Sequence, residues 1–141
     1  MSERPSPIHG AVKVPVYRRF SDLDPLGHVN NVVYVDYMQE GRVGFMRAIG
    51  LPVGTIAQVV VNQNLTFRKP LLLHPDPVIV ETWVTRVGNS SYDFSYLIYD
   101  EVGDLSAEGS TTMACIDRAS GRPIRLPAEL RAAIGTPRLE A

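Results

Sequence analysis

The segment from Asn31 to Ile49 limits the possible folds more than any other part of the chain. Val32, Val33, Val35, Tyr37, Met38, Val43, Phe45, Met46 and Ile49 fall along it, and Gly50 followed by Pro52 supplies a helix stop. The pattern predicts a helix of about five turns, roughly 28 Å long at ~1.5 Å per residue. Its first half is apolar almost all round and rich in β-branched residues, which do not favour helix. Such a segment is stable only where protein surrounds it.

The rest of the chain supplies material to surround it. Val12, Val14 and Val16 alternate with Lys13, Pro15 and Tyr17, the period of a half-buried strand, and Pro15 suits a sheet edge. Further strands are expected around Val59–Phe67, Val78–Val84, Tyr92–Ile98 and Ala107–Ile116, separated by turn signals in RKPLLLHPDP, VGNSS, DEVGD and DRASGRP. The last three, joined by short turns, should form an antiparallel meander. A short helix is predicted from Pro127, at a favoured first-turn position, to Ile134. Residues 1–10, rich in Pro, Ser and charge, read as a mobile tail, and residues 11–141 as one domain. The class is α+β, a curved antiparallel sheet of about five strands wrapped around one long helix. The open side of that helix and the sheet edge would still need cover, which a second copy of the chain could give.

Composition narrows the partners. Fourteen Lys+Arg against fifteen Asp+Glu leave no broad basic surface, so nucleic acid is not an expected partner. The basic residues other than Lys13 and Lys69 are arginines, the better fork for phosphate or carboxylate. A lone cysteine, Cys115, can form no internal disulfide and no metal cluster with the scattered His9, His28 and His74, which fits the reducing cytoplasm. The N-terminus lacks the apolar core of a signal peptide, and no apolar run approaches the ~20 residues of a membrane span.

Directly before the helix stands FSDLDPLGHVNN, with far more polar and turn-forming residues than a helix start needs. Pro25 and Gly27 force turns that bring at least one of Asp22 and Asp24 close to the helix N-terminus. The N–H groups there carry partial positive charge and can hold a carbonyl oxygen or oxyanion. A carboxylate facing such a carbonyl can attack it or deprotonate a water, which is acyl-transfer chemistry. The competing account makes Asp22 and Asp24 Asx-turn residues, Asn30 or Asn31 a simple cap, and His28 a structural histidine. A metal site from Asp22, Asp24 and His28 lacks a further ligand at sensible spacing.

D-L-D-P-L-G-H-V-N-N-V-V-Y, Asp22 to Tyr34, resembles the signature D-x-D-x-x-G-H-V-N-N-x-x-Y of the hotdog-fold acyl-CoA thioesterases of the 4-hydroxybenzoyl-CoA thioesterase type. The resemblance continues in YVDYMQEGRVGFMRAIG and, more weakly, in the strands and tail as far as Ile134. It implies a hotdog fold, a homodimer or homotetramer with the site between subunits, and hydrolysis of acyl-CoA, or of acyl-carrier-protein thioesters, without a cofactor, CoA being part of the substrate. Asp24 then corresponds to the catalytic carboxylate, as nucleophile or general base, and the Asn31 backbone N–H to the group that polarises the thioester carbonyl. Asp22, His28, Asn30, Tyr34 and Ser91 would shape the site, and Arg68, Lys69 and Arg86 could meet the CoA nucleotide. Glu40 resembles a structural partner of Arg42, and is also the place where a second branch of the fold carries its carboxylate. Two other readings stand beside this one: an enoyl-CoA hydratase, whose D-x-N-P-x-H motif is met only in part, and a non-catalytic acyl-thioester binding module. The apolar face of Tyr34, Tyr37 and Met38 with Val59, Val61 and Leu65 favours an unsubstituted fatty acyl group.

Overall fold

The computed structural model describes residues 5–6, 10–134 and 138–139. β1 (Pro5–Ser6) pairs with β7 (Arg138–Leu139) in a two-stranded ribbon, while the rest of the expected N-terminal tail, 1–4 and 7–9, lies outside the described residues. The main sheet is built from β2 (Val12–Val16), β3 (Gln58–Phe67), β4 (Val78–Val87), β5 (Ser91–Tyr99) and β6 (Leu105–Cys115), with the burial of β2 and β5 alternating residue by residue. The strands are antiparallel in the order β2-β4-β5-β6-β3, so β4, β5 and β6 form the expected meander and Pro15 sits on an edge strand. Irregular register between Val60 and Asn62, Val84 and Arg86, and Ile98 and Tyr99 adds local twist and bends the sheet.

The concave face carries Val80, Val84, Tyr92, Phe94, Tyr96, Ile98 and Ala107, all buried. Against it lies α1 (Val33–Ala48), which buries Tyr34, Tyr37, Met38, Gly41, Phe45 and Met46, one stripe at helical spacing. The helix approaches closely because two of its residues are glycines. A Cβ on Gly41 would stand 2.5 Å from Thr82 Oγ1 and 2.8 Å from Val80 Cγ1, and one on Gly44 would strike the Val14 side chain. On the sheet, Gly109 makes the matching space for the Met38 sulfur and Leu65. α2 (Ala128–Ile134) closes one end of the core with Leu130 and Ile134 and is tied to the β4–β5 turn by Arg131, which donates to the Gly88 carbonyl. Cys115, at the end of β6, is fully buried.

One feature differs from the sequence expectation. The helix starts at Val33 rather than Asn31, because Val33 and Tyr34 donate three residues back to Asn30 and Asn31 in a tight preceding turn. The helix has the open side that the sequence leads one to expect: Val32 is exposed, and Val33, Val35, Val43 and Ile49 are only half-buried. The unfinished side adjoins β3, an edge strand whose Val59, Val60, Val61 and Phe67 are exposed and whose sequence QVVVNQNLTF holds no charge and no proline to discourage pairing.

Gly41→Ala tests the close helix contact. Alanine in a helix interior gains about 1 kcal/mol over glycine, whereas overpacking a tight core costs roughly 1–3 kcal/mol. The steric cost should win, lowering the urea midpoint of Gly41→Ala, while Gly50→Ala, strained only by its positive φ, tests a glycine with open space around it.

Candidate active site

The 3-10 turn Phe20–Asp22 ends in a carboxylate that is 1% exposed. Asp22 Oδ2 accepts from the Arg19 backbone N–H at 2.9 Å and from the Tyr37 hydroxyl at 2.9 Å, while Oδ1 meets the Arg19 guanidinium at 2.9–3.1 Å. Burial pushes this carboxyl up, but the Arg19 backbone and guanidinium and the Tyr37 hydroxyl together outweigh burial and hold it below its usual range. Burial and the adjacent Asp22 charge push the Tyr37 phenol well up, so it remains a donor. Asp22 therefore anchors the turn to α1. Nearby, buried Arg18 spans to the Leu72 and Asp76 carbonyls and to Glu101, each at 2.8 Å, and holds the loop alongside.

Beyond Asp22 the chain forms a closed loop. Asp24 donates through its N–H to the His28 carbonyl, Gly27 donates back to the Asp24 carbonyl, and Asn30 N–H reaches the Asp22 carbonyl. Gly27 takes φ 81°, the left-handed region that suits glycine. Asp24 Oδ1 accepts from the N–H groups of Leu26 at 2.9 Å and His28 at 3.1 Å. These bonds fix the carboxyl plane and use one oxygen only; among the described residues no donor reaches Oδ2. Asn30 Oδ1 accepts from Val32 N–H at 3.0 Å and so orders the helix start. The Asn31 N–H has no acceptor among the described residues.

Asp24, His28, Asn31 and Tyr34 share the lining of one cavity of about 260 Å³ with Val29, Phe67, Arg68, Lys69 and Pro70. The arrangement is thus both things the sequence offered as alternatives: an Asx turn, and a carboxylate with one oxygen left over beside the helix start. Tyr34 is buried, edge-on to Phe67 at 5.0 Å, with its hydroxyl 3.2 Å from Ser106 Oγ. Ser106 in turn donates to the Lys69 carbonyl at 2.7 Å. Phe67 and Pro70 escaped the sequence reading, although the alternation of β3 already placed Phe67 on the same face as Leu65.

The other candidates divide. Arg68 borders the cavity with an exposed 3.3 Å link to Glu108. Lys69 borders it too, but its ammonium sits 2.7 Å from both Asp100 and Asp104, which raise its pKa. Arg86 and Ser91 lie elsewhere: Arg86 grips Asp93 at 2.8 and 3.0 Å and donates to Ser91 Oγ at 2.9 Å, so within one chain neither meets Asp24. Glu40 does not pair with Arg42, because residues two apart point to different sides of a helix. Arg42 reaches inward to the Tyr96 hydroxyl at 3.2 Å and Thr111 Oγ1 at 3.4 Å. Glu40 opens instead on a separate cavity with Tyr17, Arg19, Asp22 and Tyr37. Val59 and Val61 do not join the Asp24 cavity, and Tyr37 and Met38 are spent on Asp22 and the core. Among the described residues no three His, Cys, Asp or Glu side chains stand close enough to hold a metal ion, and no helix is long and apolar enough to cross a membrane.

Residues 18–134 match the Thioesterase-like superfamily. The chain belongs to that family and is a thioesterase of the hotdog fold. A thioesterase from Thermus thermophilus, solved in complex with coenzyme A and Zn, superposes with TM-score 0.78 at 34% identity, covering 87% of this chain and 91% of that one. The long-chain acyl-CoA thioesterase FadM of Escherichia coli is 29% identical over 77% of this chain and 86% of its own. An acyl-acyl carrier protein thioesterase of Arabidopsis thaliana, ATL3, is 27% identical over 78% of this chain and 60% of its own.

The anchoring by Asp22 has a pH signature. Its carboxyl titrates lower folded than unfolded, so its stabilisation is complete above the unfolded value of about 4 and is lost as pH falls through the folded value. Asp22→Asn should lower stability near neutral pH by about 1–3 kcal/mol. The gap to wild type should narrow toward pH ~3, as read from urea midpoints at the two pH values.

Proposed function

We propose that this thioesterase hydrolyses acyl-CoA thioesters with Asp24 as the nucleophile or general base. The observation that carries this is the division of labour in the Asp24 carboxyl: Oδ1 is tied by two loop N–H groups, Oδ2 meets no donor among the described residues, and Asp24 and Asn31 border one cavity. The thioester carbonyl oxygen takes the Asn31 N–H and the partial positive charge of the α1 N-terminus, which stabilises the negative charge developing there. Asp24 either attacks the carbonyl carbon or removes a proton from a water that does. The C–S bond then breaks, CoA leaves as the thiolate, and water supplies the new carboxyl oxygen. No cofactor enters the reaction. His28 and Asn30 shape the loop, Tyr34 walls the acyl side, and Arg68 at the cavity border is the best placed cation for a CoA phosphate. A carrier-protein thioester reaches the same carboxylate by the same chemistry, and the Arabidopsis relative favours testing it as a donor. A buried lone cysteine suits the cytoplasm.

Asp24→Asn keeps the Oδ1 acceptor and should keep the fold while lowering the rate of free-thiol release at least ~100-fold. Full activity in a folded Asp24→Asn protein would move the carboxylate elsewhere, with Glu40 next in line. Thiol release itself separates hydrolysis from hydration or simple binding, neither of which liberates CoA.

The bare edge of β3 and the uncovered side of α1 support a homodimer joined along β3, and a tetramer if such dimers pair again. Light scattering at micromolar concentration should report no monomer. Val60→Arg combined with Asn62→Arg on that edge should yield monomers that have lost turnover, whereas active monomers would contradict the dimeric assembly.

A further inference from the structure

A larger cavity, about 460 Å³, lies apart from the one holding Asp24. It sits between the second half of α1 and the opposite end of β3, with Met46, Phe94 and Met113 giving an apolar floor and Gln39, Gln58 and Arg42 its polar groups. Arg118 is the second arginine of the lining, and no carboxylate belongs to it. Arg118 is turned to the Gly54 carbonyl. The Arg42 guanidinium is held by one nitrogen alone: both of its hydrogen bonds leave Nη1 and end on neutral hydroxyls. Nε and Nη2, the edge that grips a carboxylate in a two-pronged fork, have no acceptor among the described residues. Among the described residues this half-buried cation, in a cavity lined by no acid, has no carboxylate for the counter-charge that such groups normally have.

Within one chain this cavity and the one holding Asp24 share no lining residue. Val60 borders the first and Phe67 the second, seven residues apart along β3, or roughly 23 Å at ~3.3 Å per residue. Antiparallel pairing of β3 with a second β3, centred on Asn62 and Gln63, reverses the strand and sets Phe67 of one copy beside Gln58 of the partner subunit. In that arrangement the two cavities would adjoin across the interface.

We propose that the cavity around Arg42 receives the far end of the acyl group bound at Asp24 of the other subunit, and that Arg42 pairs there with a carboxylate. The preferred substrates are therefore thioesters of dicarboxylic acids, in place of the unsubstituted fatty acyl group that the sequence favours. This rests on the thioesterase reading of Asp24 and on the β3 dimer.

The test compares CoA monothioesters of dicarboxylic acids with the matching plain acyl-CoAs, over chains of roughly six to twelve carbons. Wild type should favour the best dicarboxylic member over its plain counterpart at least ~10-fold in kcat/KM, and Arg42→Met and Arg42→Gln should each abolish that ratio. A preference for the plain ester, or a ratio that survives both substitutions, overturns the proposal. Should wild type cleave neither, the thioesterase reading fails by itself, and calorimetry on Asp24→Asn still decides this one. Tighter binding of the dicarboxylic ester, lost in Asp24→Asn/Arg42→Met, upholds it, and equal binding overturns it. Refolding Asp24→Asn and Arg42→Met subunits together examines the placement. Random mixing restores both groups at about a quarter of the sites if they come from different subunits, so recovery of about that share of wild-type turnover on the dicarboxylic ester is expected. No recovery would return Arg42 to its own chain's site and overturn the shared arrangement.

Discussion

The Asp22 carboxylate is the contact on which the rest of the site depends. Its side chain joins the 3-10 turn to the first turns of α1 through Arg19 and Tyr37, and its carbonyl closes the Asp24 loop by accepting from Asn30. Both ends of the loop are thereby pinned by one residue. Burying a charge is tolerable only because three donors meet it, one of them a guanidinium. With that joint made, Asp24 inherits a fixed direction and α1 a fixed start, and the relation between carboxylate and helix N-terminus is no longer left to loop motion.

The second organising feature is incompleteness. The sheet curves around α1 but leaves one flank open, and the flank lies beside a long, uncharged edge strand. A monomer that met all its own packing needs would not look like this. The cavities toward the two ends of β3 differ in kind, one bordered by Asp24 and the other lined by Arg42, Met46, Phe94 and Met113 with no carboxylate among its residues.

Periodicity revealed most of the architecture. Tyr92, Phe94, Tyr96 and Ile98 alternate so strictly that β5 and its buried face could be read directly, and Gly50 marked the end of α1 within two residues. Strand order was not readable, since β3 pairs with β6, not with its neighbour in sequence, and nothing local encodes that choice. At the site, the loop residues and Tyr34 were legible because turn formers and apolar residues interrupt each other there. Arg42 eludes spacing for a physical reason: a nearby Glu40 invites a pairing by sequence distance, while helix geometry sends the two side chains in different directions. Phe67 and Pro70 reach the cavity by tertiary placement, which spacing along the chain does not report.

Cys115 carries a consequence of a different kind. Its thiol is sealed in the sheet, and burial pushes its pKa up, so both access and the reactive thiolate form are denied in the folded chain. As the only sulfhydryl in the sequence, it is a silent witness in the native state. A thiol reagent can modify this protein only during excursions that lift β6 away from its neighbours. The speed of that labelling clocks how often the sheet breathes, without a tag or an added chromophore.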